Sequence, residues 1–368
     1  MTPLSAPLEV VSPPRDTKDE TTLPFLSVMM PVRNEAKHIA ATLSMLIAQD
    51  YPRDRFEILV ADGRSSDDTR DIVLALATPN VRLLDNPGRL SSAGRNVALK
   101  EARGEILVLV DGHCDLGGPH YLREMAAAFQ RSGADCIGRP QPLDVRGASD
   151  LQRAIAAARS SRLGHHPSSH IWATQEGFVP PQSVAIAYRR EVFERVGLFD
   201  ETFDACEDYE FNTRCAEAGL TCFLTPRVTA RYTPRDSLGR LFRQMVRYGR
   251  GRIRLLRKHP STFSWPVFVP ALFFLGVFLG PLAMGFLPLL IWFYLGGIGL
   301  YLISLIGYSL VLGQRDPRIL PWLPPVFLAI HAGAAAGVLW ELMFGPPRKE
   351  PTDEPPHQAP CVDIRRAA

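Results

Sequence analysis

Acidic side chains, joined by one histidine, recur just past the ends of apolar runs in this chain. The run from Leu26 to Val32 gives way to Arg33, Asn34 and Glu35. The next closes on Asp62 and passes through Gly63, Arg64, Ser65, Ser66, Asp67 and Asp68 to Thr69. A third, Ile106 to Val110, delivers Asp111, then His113 and Asp115. Carboxylate and imidazole groups leaving one buried strand can hold a divalent ion against a phosphate. Further on, Glu207 and Asp208 open a helical pattern, whose N-terminus stabilises a carboxylate with or without chemistry. Ser66 and Asp67 read more simply as a helix N-cap than as ligands.

These side chains need strands and helices to position them. The apolar, β-rich runs Leu26 to Val32, Phe56 to Ala61 and Ile106 to Val110 alternate with helical patterns over Ala36 to Gln49 and Tyr121 to Gln130. That alternation predicts an α/β domain on a largely parallel, doubly wound sheet. Ligands of such sheets bind beyond the carboxyl ends of the strands, which is where Asn34, Glu35 and Asp62 stand.

Taken in order, Pro31-x-x-Asn34-Glu35, Asp62-Gly63-x-Ser65-Ser66-Asp67-Asp68-Thr69, Ala93-Gly94-Arg95-Asn96, Asp111-x-His113 and Glu207-Asp208 resemble the family-2 inverting glycosyltransferases with a GT-A fold. The resemblance covers about residues 24 to 250. Within the family it is to membrane-anchored bacterial exopolysaccharide enzymes. It implies that Pro31 and Glu35 border a nucleotide, that Asp62 hydrogen-bonds the base, commonly uracil, and that Arg95 and Asn96 lie along the donor's phosphate and sugar. Asp111 would contact the donor's sugar or ribose, and the family's metal position falls on Asp111 and His113. Asp208 would be the catalytic base, with Glu207 orienting or tuning it. A divalent cation, Mn²⁺ or Mg²⁺, is expected as cofactor; the imidazole of His113, standing where the family has an acid, suits Mn²⁺ better.

The chemistry calls for these residue types. A nucleotide-sugar donor loses a diphosphate-linked leaving group, so developing negative charge needs a cation and guanidinium partners. An acceptor hydroxyl is a poor nucleophile until a carboxylate takes its proton, and one base with in-line attack inverts the anomeric centre. The family's acceptor side falls on residues 177 to 200. Trp172, just before it, and Phe178 could stack on a sugar or be buried, and His165, His166 and His170 form a surface loop or approach the acceptor or metal. Gln244, Arg247 and Tyr248 loosely echo the Q-x-x-R-W of processive synthases, but a basic amphipathic helix accounts for them.

Composition divides the chain further. Its 368 residues carry a net charge of +3, and mean hydropathy is zero. Residues 1–22 read as a disordered lead without a secretory signal, and 23–235 as the GT-A domain. Asp236 to His259 then holds eight Lys/Arg and one acid, interleaved with apolar residues. A basic amphipathic segment over 236–262 favours an anionic leaflet and fixes orientation. Trp265 to Leu312 has no charged residue over 48 positions, a reach of about 70 Å as helix against a hydrocarbon core of about 30 Å. A transmembrane hairpin over 265–312 follows, with its turn expected at Gly280-Pro281 or the Gly285/Pro288 region. A third span is expected over 320–344, then a disordered tail over 345–368. The six cysteines show no metal spacing and read as reduced thiols.

The sequence therefore predicts a multi-pass protein of the bacterial inner membrane with its catalytic domain in the cytoplasm. The expected partners are a nucleotide-sugar donor, a lipid-linked acceptor, the membrane and other polysaccharide assembly proteins; the local basic charge does not point to nucleic acid. Two other readings are a polyprenyl-phosphate sugar synthase and an inactive membrane-anchored scaffold of a polysaccharide assembly complex.

Overall fold

The computed structural model describes residues 23–164, 170, 173–286 and 289–345. Its contacts divide these into two units. One holds the residues up to Pro142 and from 170 to Tyr232; the other holds Leu143 to 164 and Thr233 to 345. The helix that follows Pro142, which the sequence reading counted with the GT-A stretch, belongs to the second.

The first unit is an α/β sheet. In chain order it contains β1 (Leu26–Val32), α1 (Ile39–Ile47), β2 (Phe56–Asp62), α2 (Thr69–Leu76), β3 (Val81–Asp85), α3 (Ser91–Glu101), β4 (Ile106–Leu109), β5 (Cys114–Asp115), α4 (Tyr121–Ser132) and β6 (Cys136–Gly138). The second unit interrupts with α5 (Asp150–Arg159). The first resumes with β7 (Gly177–Val179), β8 (Ala185–Arg189), α6 (Arg190–Val196), α7 (Glu207–Glu217), β9 (Cys222–Leu224) and β10 (Arg231–Tyr232). The strand order is β3-β2-β1-β4-β8-β6-β9-β7, parallel from β3 through β4 and mixed beyond.

Period-two alternation sorts the strand residues onto two cores. Leu26, Val28, Met30 and Val32 of β1 pack with Ile39 and Leu43 of α1 and Met125 and Phe129 of α4. Met29, with Leu59 and Leu107, faces the opposite way, onto Leu99 of α3 and Phe211 of α7. Both faces are covered, so the central strands read as unbroken apolar runs. The chain reverses its progression across the sheet at β1, which opens a crevice beyond the carboxyl ends of β1 and β4.

The second unit adds α8 (Leu238–Lys258), α9 (Val269–Phe286), α10 (Leu290–Gly313) and α11 (Leu323–Phe344). Ser237 caps α8 by accepting from the N–H of Arg240 at 3.3 Å. Three stretches, Trp265–Ala283, Leu290–Gly313 and Pro317–Phe344, are long and apolar enough to cross a membrane. The hairpin turn is not at Gly280-Pro281, which lie inside α9. Proline frees the carbonyl four residues before it, and here the Tyr294 hydroxyl donates to that Val277 oxygen at 3.3 Å. Gly280, lacking a Cβ, leaves room for the Tyr294 ring. Helix α9 ends at Phe286 and α10 begins at Leu290, next to the second expected region, whose Pro288 lies outside the described residues.

Phe211 is fully buried and stacks on Phe199 and Phe193 with ring centroids 4.3 and 5.0 Å away. Phe211→Ala is expected to cost about 3–5 kcal/mol. A thermal melt of the detergent-solubilised protein checks this as a clear fall in the first unit's midpoint.

Candidate active site

Two loops beyond β1 and β2 are stitched together by short polar side chains. Asn34 adopts a left-handed backbone (φ 56°), its N–H donates to Ser65 Oγ at 2.9 Å, and its Oδ1 accepts from the N–H of Ser66 at 2.8 Å. The N–H of Glu35 donates to Thr69 Oγ1 at 2.8 Å and that of Ala36 to Asp67 Oδ2 at 3.2 Å. Ser66 and Asp67 thus tie the loops together; the N-cap of α2 is Asp68, which makes no side-chain cap bond. Gly63 is required by close approach, since a Cβ there would meet the Arg89 carbonyl oxygen at 2.9 Å. Pro31, one residue from the end of β1, lies against Gly94 of α3, where a Cβ would come within 2.9 Å of its ring.

Asp62 stands at the end of β2 as expected, but its carboxylate is fully buried and engaged within the protein. It accepts from the N–H of Ser65 at 3.2 Å and from Arg70 Nη1 at 2.9 Å, and Arg70 also reaches Asp85 at 2.8 Å. The register of β2 on β3 sets Asp62 beside Asp85, so two adjacent acids require a cation. Asn96 is likewise spent internally. Its Nδ2 donates to the Phe199 carbonyl and to Glu201, and its Oδ1 accepts from the Phe199 N–H, all within 2.9 Å. These bonds hold the 199–201 segment in place.

Its neighbour Arg95 is the buried cation of the site. Arg95 Nη2 lies 3.3 Å from Glu207 Oε1, the guanidinium sits 5.3 Å from the Phe199 ring centre, and Nε and Nη1 have no hydrogen-bond partner among the described residues. Burial works against its charge, yet Glu207, Asp111 and Asp208 outweigh it and hold the guanidinium above its ordinary pKa. Burial pushes the Glu207 carboxyl up, with Arg95 opposing. Cys206 takes a left-handed turn (φ 64°) into α7. Glu207 is buried at the start of that helix, whereas the next residue, Asp208, is exposed.

Asp111 follows β4. Burial would raise its carboxyl, but Arg95, His113, the Tyr232 hydroxyl and Arg139 hold it below the usual carboxylate range. The small sheet of β5 and β10 sets Tyr232 opposite Cys114. Its hydroxyl donates to Asp111 Oδ2 at 2.8 Å and accepts from the buried Arg139 Nη2 at 3.1 Å. His113 Nδ1 lies 3.0 Å from Glu35 Oε1, and its ring stands edge-on to Tyr232. Among the described residues, no three His, Cys, Asp or Glu side chains converge as a metal cage.

The fold thus gathers Arg95, Asp111, Glu207 and Asp208 into one electrostatic cluster, joins His113 to Glu35, and turns Asp62 and Asn96 to internal duty. Arg70, Arg139 and Tyr232 carried no sequence signal; Tyr232 is 121 positions from the acid it touches. Phe178 packs edge-on against Phe223 at 5.4 Å, a core contact. His165, His166 and Trp172 lie outside the described residues; burial lowers the pKa of His170. Gln244 and Tyr248 hydrogen-bond to one another along α8 at 3.1 Å, as helix neighbours four apart.

A mostly parallel sheet with a buried cation set among acids beyond its strand ends, one carboxylate exposed, is the arrangement of a group-transfer enzyme. Residues 24–251 match the family described as "Glycosyltransferase like family 2", and the chain belongs to that family: it is a glycosyltransferase. It is 32% identical over 334 residues to "Succinoglycan biosynthesis protein ExoA" of Rhizobium meliloti (strain 1021), covering 89% of this chain and 98% of that one. It is 26% identical over 333 residues to the "Dolichyl N-acetyl-alpha-D-glucosaminyl phosphate 3-beta-D-2,3-diacetamido-2,3-dideoxy-beta-D-glucuronosyltransferase" of Methanococcus voltae, covering 87% and 98%. In fold it is similar to the solved mannosyltransferase PcManGT from Pyrobaculum calidifontis in complex with GDP-Man and Mn²⁺. That match has a TM-score of 0.56, 22% identity and 92% coverage of both chains.

Tyr232→Phe removes a hydrogen bond that favours ionised Asp111. The Asp111 pKa then rises, so its charged form is lost at higher pH, and the acidic limb of the transfer rate is expected to move to higher pH. A pH profile of sugar transfer checks it; an unmoved limb contradicts it.

Proposed function

We propose that the chain transfers a hexose from a nucleotide-sugar, UDP-linked, to a hydroxyl of a lipid-linked glycan acceptor, with inversion, in exopolysaccharide or cell-envelope glycan synthesis. The observation that carries the reading is the head of α7. Asp208 is exposed, with Oδ1 accepting from the Tyr209 N–H at 2.7 Å, beside a Glu207 that is buried against Arg95, so the exposed carboxylate faces an acceptor while its neighbour is paired with the cation. Asp208 takes the hydroxyl proton as the acceptor oxygen attacks the anomeric carbon. Arg95, whose Nε and Nη1 have no hydrogen-bond partner among the described residues, offsets negative charge on the departing diphosphate. Pro31 and Glu35 border the nucleotide; Asp62 contributes through the loop it fixes.

The donor set fits a divalent cation. Asp111 is held in its charged form, and His113, whose Nδ1 lies 3.0 Å from Glu35 Oε1, shows the carboxylate–histidine pairing common in metal sites, so these two residues would hold the ion. Two protein ligands leave room for diphosphate oxygens, and imidazole favours Mn²⁺. When bound, the cation supplies Lewis-acid stabilisation of the leaving group.

Membrane location is part of the proposal: the α9–α10 hairpin crosses the inner membrane and the catalytic unit stays in the cytoplasm. The excess of Lys/Arg before the hairpin, with Arg315 and Arg318 after it, supports that orientation. The two relatives' names, a succinoglycan biosynthesis protein and a dolichyl-linked glycan transferase, support a lipid-linked acceptor.

Membranes given radiolabelled UDP-sugars and lipid extract, with and without Mn²⁺, test the proposal. Asp208→Asn is expected to lower kcat by about 10²–10⁴-fold with donor binding retained. Transfer at the parent rate would rule out Asp208 as the base. A product carrying a single, acid-labile phosphate would point instead to a polyprenyl-phosphate acceptor.

A further inference from the structure

We infer that α11, although long and apolar enough to span, does not cross the membrane, so that the chain crosses twice and its carboxyl-terminal tail emerges on the side of the catalytic unit. The inference rests on the reading that the α9–α10 hairpin is membrane-embedded. It is carried by what α11 packs against.

Along its second half α11 runs parallel to α8 at very short range. Gly333 faces Met245 and the Phe242 carbonyl, Gly337 faces Val246 and Arg250, and Gly249 of α8 faces Ala334 and Val338. Small residues let the two backbones close up, and the pairing climbs both helices in the same direction. At its upper end the buried carboxylate of Glu341 takes Arg250 at 3.0 Å and Arg254 at 2.9 Å, while Arg257 donates to the Glu341 carbonyl at 2.8 Å. Glu341 therefore locks α11 to the most basic helix of the chain.

The lock decides the topology. Helix α8 carries eight Lys/Arg residues along Leu238–Lys258. A crossing by α11 would carry α8 into hydrocarbon beside it, and one carboxylate cannot balance those charges. The first half of α11 is covered too. Phe327 and Ile330 pack with Ala154, Ile155 and Ala158 of α5, and His331 Nε2 lies 2.9 Å from the Leu163 carbonyl oxygen. Helix α5 is a polar-faced helix with a Ser149 capping box, and its Arg153 pairs with Asp316 at 3.1 Å. Among the described residues, the apolar clusters containing α11 draw on the hairpin through Ala271 and Phe274 of α9 and Tyr301, Leu305 and Leu312 of α10. Those residues belong to the half of each helix next to where the chain enters and leaves. The exposed side chains along both hairpin helices, among them Leu272, Phe278 and Leu282 of α9 and Phe293, Ile303 and Val311 of α10, are left for lipid.

The apolar length of α11 is thus spent on α5, α8 and the base of the hairpin. Its exposed remainder, Leu328, Trp340, Leu342, Met343 and Phe344, together with the arginines of α8, suits the headgroup boundary of an anionic leaflet.

Reporter fusions of the full chain in bacterial cells test this. Alkaline phosphatase, active only outside the cytoplasm, and green fluorescent protein, fluorescent only within it, are placed in turn before Met1, after Ala368 and between residues 287 and 288, in fusions that retain sugar transfer. The expected result is the same reporter pattern at both termini and the opposite pattern at 287/288. A tail on the side opposite the amino terminus overturns the inference. A 287/288 insertion matching the termini overturns instead the embedded hairpin on which it rests.

Discussion

Arg95 carries a charge at 6% exposure, and the catalytic unit is arranged around the cost of keeping it there. A guanidinium withdrawn from water is tolerable only when acids surround it, and Glu207, Asp111 and Asp208 do so from two separate elements. Helix α3 brings the cation to the crevice, Asn96 clamps the segment whose Phe199 ring lies beside it, and the turn at Cys206 starts α7 with Glu207 aimed inward. The same turn leaves Asp208 outside. Two adjacent acids thereby acquire different environments, one paired with the cation and one exposed, and on the proposed reading the exposed one is the base.

A second arrangement supports the first. Asp111 sits at the end of a buried strand, where burial pushes its carboxyl up. Arg139 and Tyr232 reach it from behind through the β5–β10 pairing, so its negative charge is sustained from the protein side. His113 is oriented by Glu35 on the other side. The site can therefore present one ionised carboxylate and one oriented imidazole towards a donor.

Much of this was legible in the residues. The runs Leu26–Val32, Phe56–Asp62 and Ile106–Leu109 became β1, β2 and β4 because apolar runs bounded by polar turns leave little choice. Loop and crevice acids could be named because they follow those strands. What no sequence pattern shows is which polar groups are already satisfied. Asp62 looks available until Arg70 and the register with Asp85 are known, and Asn96 until its three partners are. Nor does hydropathy distinguish an apolar helix that faces lipid from one covered by α5 and α8. The chain's neutral mean hydropathy conceals both. Glycines at 249, 333 and 337 would have been the hint, had their partner been known.

Because the account centres on Arg95, a double-mutant cycle between it and Glu207 tests it most directly. Arg95→Met alone strands a buried carboxylate and is expected to cost about 3–5 kcal/mol of stability, with sugar transfer reduced at least about 100-fold. Adding Glu207→Gln removes the stranded charge, so melting of the double variant should recover most of that loss while transfer stays at the low level. Recovery of transfer along with stability would contradict the account, since the cation would then be a packing element with no part in handling the donor.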